Sequence, residues 1–305
     1  MFFRNLTLFR FSPAVGNDLA RLEEALAGHR LRACGPLEMA TRGFVPPMAA
    51  TEDEPLTRSI KHCTLLALGS EDKLLPAQVV NTELQRKVRA VAEQHGRRVG
   101  GRERKRIKDE VLTELLPRAF VRSSRLAAYV DRQHGWVVLD TASRKAAEDA
   151  LSQMRQALGS FPAVPLAPAS SPRLLMTDWL SSGKLPAGLQ LGDECELRDP
   201  ASNTGAIVRC RRQDLEADEV KEHLRTGKQV FLLGLVFNER IGFVLGEDLV
   251  VHKLRFLDVV TEELGDSQGD AAAELDASFA LMSLELAQLL AKLDECFGIP
   301  RPTDG

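Results

Sequence analysis

Seven cations crowd the twelve residues from Arg97 to Lys108: Arg97, Arg98, Arg102, Arg104, Lys105, Arg106 and Lys108. Five of them fall within 102–108, so on a helix they wrap around its start instead of forming a narrow stripe. A helix N-terminus favours anions, so cations placed there cost stability unless something anionic joins them. Phosphate satisfies both partners, accepting hydrogen bonds from exposed backbone amides and from guanidinium groups. The block therefore reads either as a phosphate-binding surface or as a solvated charged turn.

Other candidate chemistry is sparse. Asp131 and Asp140 flank a predicted hairpin, where paired acids on strands can hold Mg²⁺ for phosphodiester cleavage. Aspartate at strand ends is equally ordinary turn chemistry. His29, His62, His95, His134, His223 and His252 are dispersed, and none has metal-ligand spacing. The sequence contains no Walker loop, no GxGxxG after a strand, no GxSxG and no HExxH. Gly100-Gly101 follows a helix, not a strand, so it is no phosphate loop. No catalytic residue, metal ligand or cofactor is expected.

The totals fit this picture. The chain of 305 residues carries a net charge of −3, but the charge is unevenly spread. Residues 81–125 hold 13 Lys/Arg against 6 Asp/Glu, a net of +7, and residues 258–305 hold 2 against 11, a net of −9. Such asymmetry points to an anionic partner at the basic segment, with the acidic segment a solvated face or a surface that repels nucleic acid. The aromatic residues are 13 Phe, 2 Trp and 1 Tyr, and only Phe120 lies among the basic residues. Single-strand binders stack bases on aromatics, so this scarcity favours contacts to a duplex backbone. No helix-turn-helix or zinc-finger pattern suggests base readout. Five scattered cysteines without a CxxC pair fit a reducing cytosol. The N-terminal MFFRNLTLFRF is interrupted by Arg4 and Arg10, unlike a signal peptide, and no apolar run is long enough to span a membrane.

The elements that position the basic block follow from periodicity. Asn5–Phe11 alternates as a strand, Asp18–Ala27 reads as a short helix, 34–48 as a breaker-rich loop, and 60–68 as a second strand. Pro76 opens a helix to about Gln94, with apolar residues at 80, 84, 88 and 91. Gly96, Gly100 and Gly101 break it, and a second helix runs from about Glu103 to Leu116, stopped by Pro117. Together they form a helical hairpin projecting from a sheet. Strands at 126–130 and 136–140 follow, then a helix capped by Ser143. Prolines 162, 165, 168 and 172 mark a linker. Beyond it lie a helix at Trp179, strands near 194–197 and 206–212, a helix near 217–225, a meander over 229–256 and a final helix over 272–297.

Several blocks resemble one family. Cys34-Gly35-Pro36, Met39-Ala40 and Gly43-Phe44-Val45-Pro46-Pro47-Met48 are similar to the N-terminal signature of the recombination-associated RdgC proteins. Lys108-Asp109-Glu110-Val111-Leu112 and Leu115-Leu116-Pro117-Arg118-Ala119-Phe120 match further on. So do Leu158-Gly159-Ser160, Val164-Pro165-Leu166, Arg211-Arg212-Gln213-Asp214-Leu215 and His223 through Lys228. The resemblance implies an α+β, horseshoe-shaped subunit. It would consist of a central sheet domain (1–75 and 119–166), a helical tip (76–118) and an α+β base (167–305). It further implies a homodimer closed into a ring that admits duplex DNA without sequence preference, binds single strands more weakly, and antagonises RecA by occupying DNA. The implied setting is the bacterial cytoplasm and nucleoid, with no enzymatic activity. Arg97, Arg98, Arg102, Arg104, Lys105, Arg106, Lys108, Arg118, Arg122 and Arg125 are then the expected DNA contacts. Phe120 is expected at one dimer contact and Arg211, Arg212 and Gln213 at the other. Phe44 stands where the family usually has Trp, and the tip turn is richer in Gly and Arg than in relatives.

Overall fold

The computed structural model describes residues 2–12, 14, 19, 21–48, 54–201, 205–264 and 271–302. It is a mixed α+β chain with antiparallel sheets, dividing into two compact units. The first contains residues 1–26, 46–67 and 126–305, and the second 27–45 and 68–125.

In the first unit, β1 (Thr7–Arg10) alternates and is buried throughout. It pairs antiparallel with β6 (Trp136–Leu139), Thr7 opposite Leu139. β6 in turn pairs with the inner end of β5 (Phe120–Asp131), and β7 (Val164–Pro165) pairs with β1. Val164 and Pro165 thus place part of the proline-rich stretch on a sheet edge, where a missing N–H is tolerated. The expected single strand over 60–68 is a hairpin instead: β3 (Thr57–Ile60) and β4 (Cys63–Leu74) flank Lys61-His62. Lys61 adopts φ 53° there, a conformation usually signalled by Gly or Asn, so composition gave no warning of the turn. Ser143 caps α4 (Arg144–Leu158) by accepting from the Ala146 N–H at 3.3 Å.

A five-stranded sheet follows in the same unit, ordered β12-β11-β10-β8-β9. Its strands are β8 (Leu189–Arg198), β9 (Ile207–Arg211), β10 (Gln229–Phe237), β11 (Ile241–Gly246) and β12 (Val251–Phe256). Asn238 and Glu239, both at positive φ, turn the chain between β10 and β11. Helices α5 (Pro172–Ser182) and α6 (Asp218–Arg225) accompany it, and the short α7 (Asp258–Thr261) precedes α8 (Ala271–Phe297). The apolar stripe of α8, Phe279, Met282, Leu286, Leu289, Leu293 and Phe297, is buried in the core of this unit.

Arg10 departs most from sequence expectation. It is 1% exposed, stacked 3.8 Å from the Trp136 ring centroid, and donates to the His134 carbonyl at 2.7 Å and to Asp294 Oδ2 at 2.8 Å. A buried guanidinium is tolerated only when so paired.

In the second unit, β4 is flanked by β2 (Ala40–Val45) and β5. The breaker-rich reading of 34–48 therefore holds only outside β2. Gly43 is no breaker: a Cβ there would sit 2.4 Å from Leu31 N, where the chain makes a parallel bridge between Arg30 and Phe44. Within the remaining loop Glu38 accepts from Arg32 and from the Gly35 N–H, and these contacts pull its carboxyl down to about 2. The helical hairpin comprises α2 (Ala77–His95) and α3 (Gly101–Leu115). Gly96, at φ 60°, ends α2 in the left-handed conformation that favours glycine. Val80, Leu84, Ile107 and Val111 form a small core between the two helices.

Candidate nucleic-acid interface

Ile107 and Val111 fix which side of α3 faces α2, and the 100° step of the helix distributes the remaining residues. Arg102 and Lys105 then point away from α2, Lys108 and Arg106 lie on opposite flanks, and Arg104 falls near the α2-facing side, in line with Val111 toward the helix start. All five side chains are exposed, as are Arg97 and Arg98 in the turn. The cations cover three sides of the helix start, as their spacing implied.

The block is partly self-neutralised. Arg97 donates to both oxygens of Glu103, at 2.8 and 3.1 Å, and that contact holds the Glu103 carboxyl below its ordinary range. Glu103 is the third residue of α3, where a carboxylate suits the helix dipole. The dipole cost of the basic residues is therefore smaller than their number suggests. Arg106 lies 3.5 Å from Glu110. Among the described residues, Arg98, Arg102, Arg104, Lys105, Lys108 and Arg118 make no side-chain ion pair. These six are the cations most available to an external anion.

The remaining expected contacts are spread out. Arg118 is exposed in the 3-10 turn Leu116–Arg118. Arg122 and Arg125 lie on the outer end of β5, where residues 120–125 are all exposed. Side chains alternate along a strand, so Arg122 shares a face with Phe120, and Arg125 takes the opposite one. Asp72 is held below its usual range first by the Arg42 hydrogen bond, with Arg122 adding to the effect, so Arg122 already has a carboxylate neighbour. Phe120 is 83% exposed and Val121 42%. In the first unit, Arg211 ends the edge strand β9, Arg212 adopts φ 52°, and Gln213 donates its N–H to the Asp193 carbonyl. All three side chains are exposed.

The Asp131–Asp140 pair does not converge. Asp131 lies opposite Trp136, while the Asp140 N–H bonds to the Ala127 carbonyl, four residues along β5 and about 13 Å away. Asp140 Oδ1 accepts from the Arg4 and Asn5 N–H groups at 2.8 and 2.9 Å, which is turn chemistry. Asp131 instead meets two histidines that sequence spacing left apart. His134 Nδ1 lies 2.7 Å from Asp131 Oδ2, and His62 Nε2 lies 3.7 Å from Oδ1. No signal in the sequence joins His62 to His134; only the adjacency of two hairpin turns does.

The family model described as "RdgC: Putative exonuclease, RdgC" matches residues 1–299. The chain belongs to the RdgC family. It is 48% identical over 302 residues to the recombination-associated protein RdgC of Xanthomonas campestris pv. campestris (strain B100), covering 99% of both chains. It is equally similar to the protein of that name from Stenotrophomonas maltophilia (strain R551-3), again with 99% of each chain covered. For Xanthomonas axonopodis pv. citri (strain 306) the identity is 48% over 295 residues, 96% of this chain and 97% of the relative. The blocks that carried the resemblance, from Cys34-Gly35-Pro36 to Lys228, all lie within the matched span. In this RdgC chain, among the described residues, no helix is long and apolar enough to cross a membrane.

Proposed function

We propose that this chain binds duplex DNA without sequence preference and acts in recombination by occupying DNA that RecA would otherwise use. The observation that carries this reading is the set of six exposed cations without ion-pair partners, five of them at one end of the α2–α3 hairpin. Its relatives are named recombination-associated proteins, which supports the same role. Charge without interleaved aromatics suits phosphate contacts on a duplex. The working place is the nucleoid, in the cytoplasm, with single strands bound more weakly.

The binding form is a homodimer closed into a ring, each horseshoe-shaped subunit built from the central part, tip and base described by the family resemblance. A two-fold ring needs two self-complementary patches per subunit. Phe120 with the doubly exposed outer end of β5 supplies one candidate, and the free edge of β9 with Arg211, Arg212 and Gln213 supplies the other. Replacing Phe120 with alanine raises the dimer dissociation constant by at least about tenfold, the scale of a truncated aromatic anchor. Sedimentation velocity across a concentration series reads this, and an unchanged dimer would remove Phe120 from the interface.

The deciding experiment for DNA binding is a fluorescence-anisotropy titration of labelled duplex at several salt concentrations. Six to ten phosphate contacts make affinity fall about 10³–10⁵-fold between 50 and 200 mM salt. A flat response excludes a backbone-binding mode. The protein is a binder, not a nuclease, in this reading: labelled duplex incubated with protein and Mg²⁺ stays intact, and shortening of the label would overturn it.

A further inference from the structure

We propose that His62, Asp131 and His134 form a binding site for one divalent transition-metal ion, with zinc the reference case, which clips two hairpin turns of the first unit together. The three residues offer ligand atoms that all lie within 4.8 Å of one another. His62 sits in the β3–β4 turn, and Asp131 and His134 bracket the β5–β6 turn. The two turns are already side by side, since the Arg132 N–H donates to the His62 carbonyl at 3.0 Å.

The His62–Asp131 contact suits an ion better than a hydrogen bond. The 3.7 Å between His62 Nε2 and Asp131 Oδ1 is too long for a hydrogen bond. It is shorter than the about 4.2 Å sum of two zinc–ligand bonds, so a single ion reaches both atoms with a bent angle. The two imidazole rings meet edge to face, 82° apart with centroids at 5.2 Å, an arrangement that lets their nitrogens converge. At His134, ligation exchanges the hydrogen now shared between Nδ1 and Asp131 Oδ2 for the metal, leaving the ring hydrogen on Nε2.

The ligands are also held in place. Asp131 is almost fully buried and its Oδ1 accepts from the Gln133 and His134 N–H groups, both at 3.0 Å. The His134 carbonyl accepts from the buried Arg10, and the Gly135 carbonyl from the Phe11 N–H. Such outer contacts orient a metal's ligands. Two imidazoles and one carboxylate select zinc, cobalt or nickel; Mg²⁺ prefers oxygen ligands and retained water. Three protein ligands leave a coordination position open. Both histidines line a largely apolar cavity of about 440 Å³ beside α8.

The test uses the full-length protein and Zn²⁺ alone, by isothermal titration calorimetry and by thermal unfolding with and without the metal. One equivalent per chain binds saturably and raises the melting temperature. His62→Gln and His134→Gln, both in half-exposed turns, each weaken binding by at least about tenfold and abolish the rise. Co²⁺ gives a visible absorption band in the wild type that both variants lose. Absence of saturable Zn²⁺ uptake by the wild type would overturn the site. So would wild-type affinity in either variant, which places the ion on other residues, or an equal thermal rise with Mg²⁺.

Discussion

Replacing Arg104, Lys105 and Arg106 together with alanine lowers duplex affinity of the proposed dimer about 10⁴-fold at 0.15 M salt, equally for all sequences. Each phosphate contact contributes about 0.9 to the slope of log K against log salt, which is about 0.7 log units at that concentration. Three lost contacts per subunit, six for the proposed dimer, therefore remove about four log units and about five from the slope. Arg106, already 3.5 Å from Glu110, supplies the smallest share, and its loss leaves that carboxylate uncompensated near the site. Anisotropy on three unrelated duplexes measures the effect. A loss confined to one duplex would mean base readout, and an unchanged slope would mean that these cations do not meet phosphate. Arg86, held by Glu83 on α2, is the matched control, since its charge is already answered.

Asp294→Ala destabilises the protein by about 3–5 kcal/mol, the usual cost of leaving one member of a buried ion pair without its partner. Arg10, 1% exposed, is the member left behind. Asp294 Oδ1 also accepts from the Ile299 N–H at 3.2 Å, so the end of α8 loosens as well. Replacing both members, Arg10→Met with Asp294→Leu, costs less than the single change, because no charge is stranded. Urea denaturation of the three variants decides this, and a single-variant loss below about 1 kcal/mol would show that water reaches Arg10.

The helical hairpin was legible because its apolar residues recur at helical spacing and its glycines fall at the ends. Val80, Leu84, Ile107 and Val111 are the buried ones, and Gly96 and Gly100 bound the turn. The charge of the candidate interface was legible for the same reason: it is local. The Arg97–Glu103 pairing was not, since composition does not say which carboxylate a flexible guanidinium finds. β2 was obscured by Gly43, which reads as a breaker but is required where one backbone touches another. The β3–β4 turn was obscured because Lys61 does what glycine usually does. Arg10 looked like a polar interruption of an apolar strand because its partner is 284 residues away. The histidine cluster was hidden in the same way, its members joined only by strand pairing.

The α3 helix opens on Gly100 and Gly101, with no side-chain cap. Gly101 costs the helix up to about 1 kcal/mol relative to alanine, while Gly100 at the N-cap gives up only a few tenths of a kcal/mol against serine or aspartate. The first turn of α3, which carries the densest charge, is therefore held by backbone bonds and the Arg97–Glu103 contact without a side-chain cap. On the proposed reading, phosphate oxygens take up its unsatisfied amides and settle it. On that reading, part of the binding free energy is absorbed in ordering this turn, and the proposed grip on DNA is moderated by local entropy as well as by charge. The proposed role, occupying DNA and still yielding it, gains from such an arrangement.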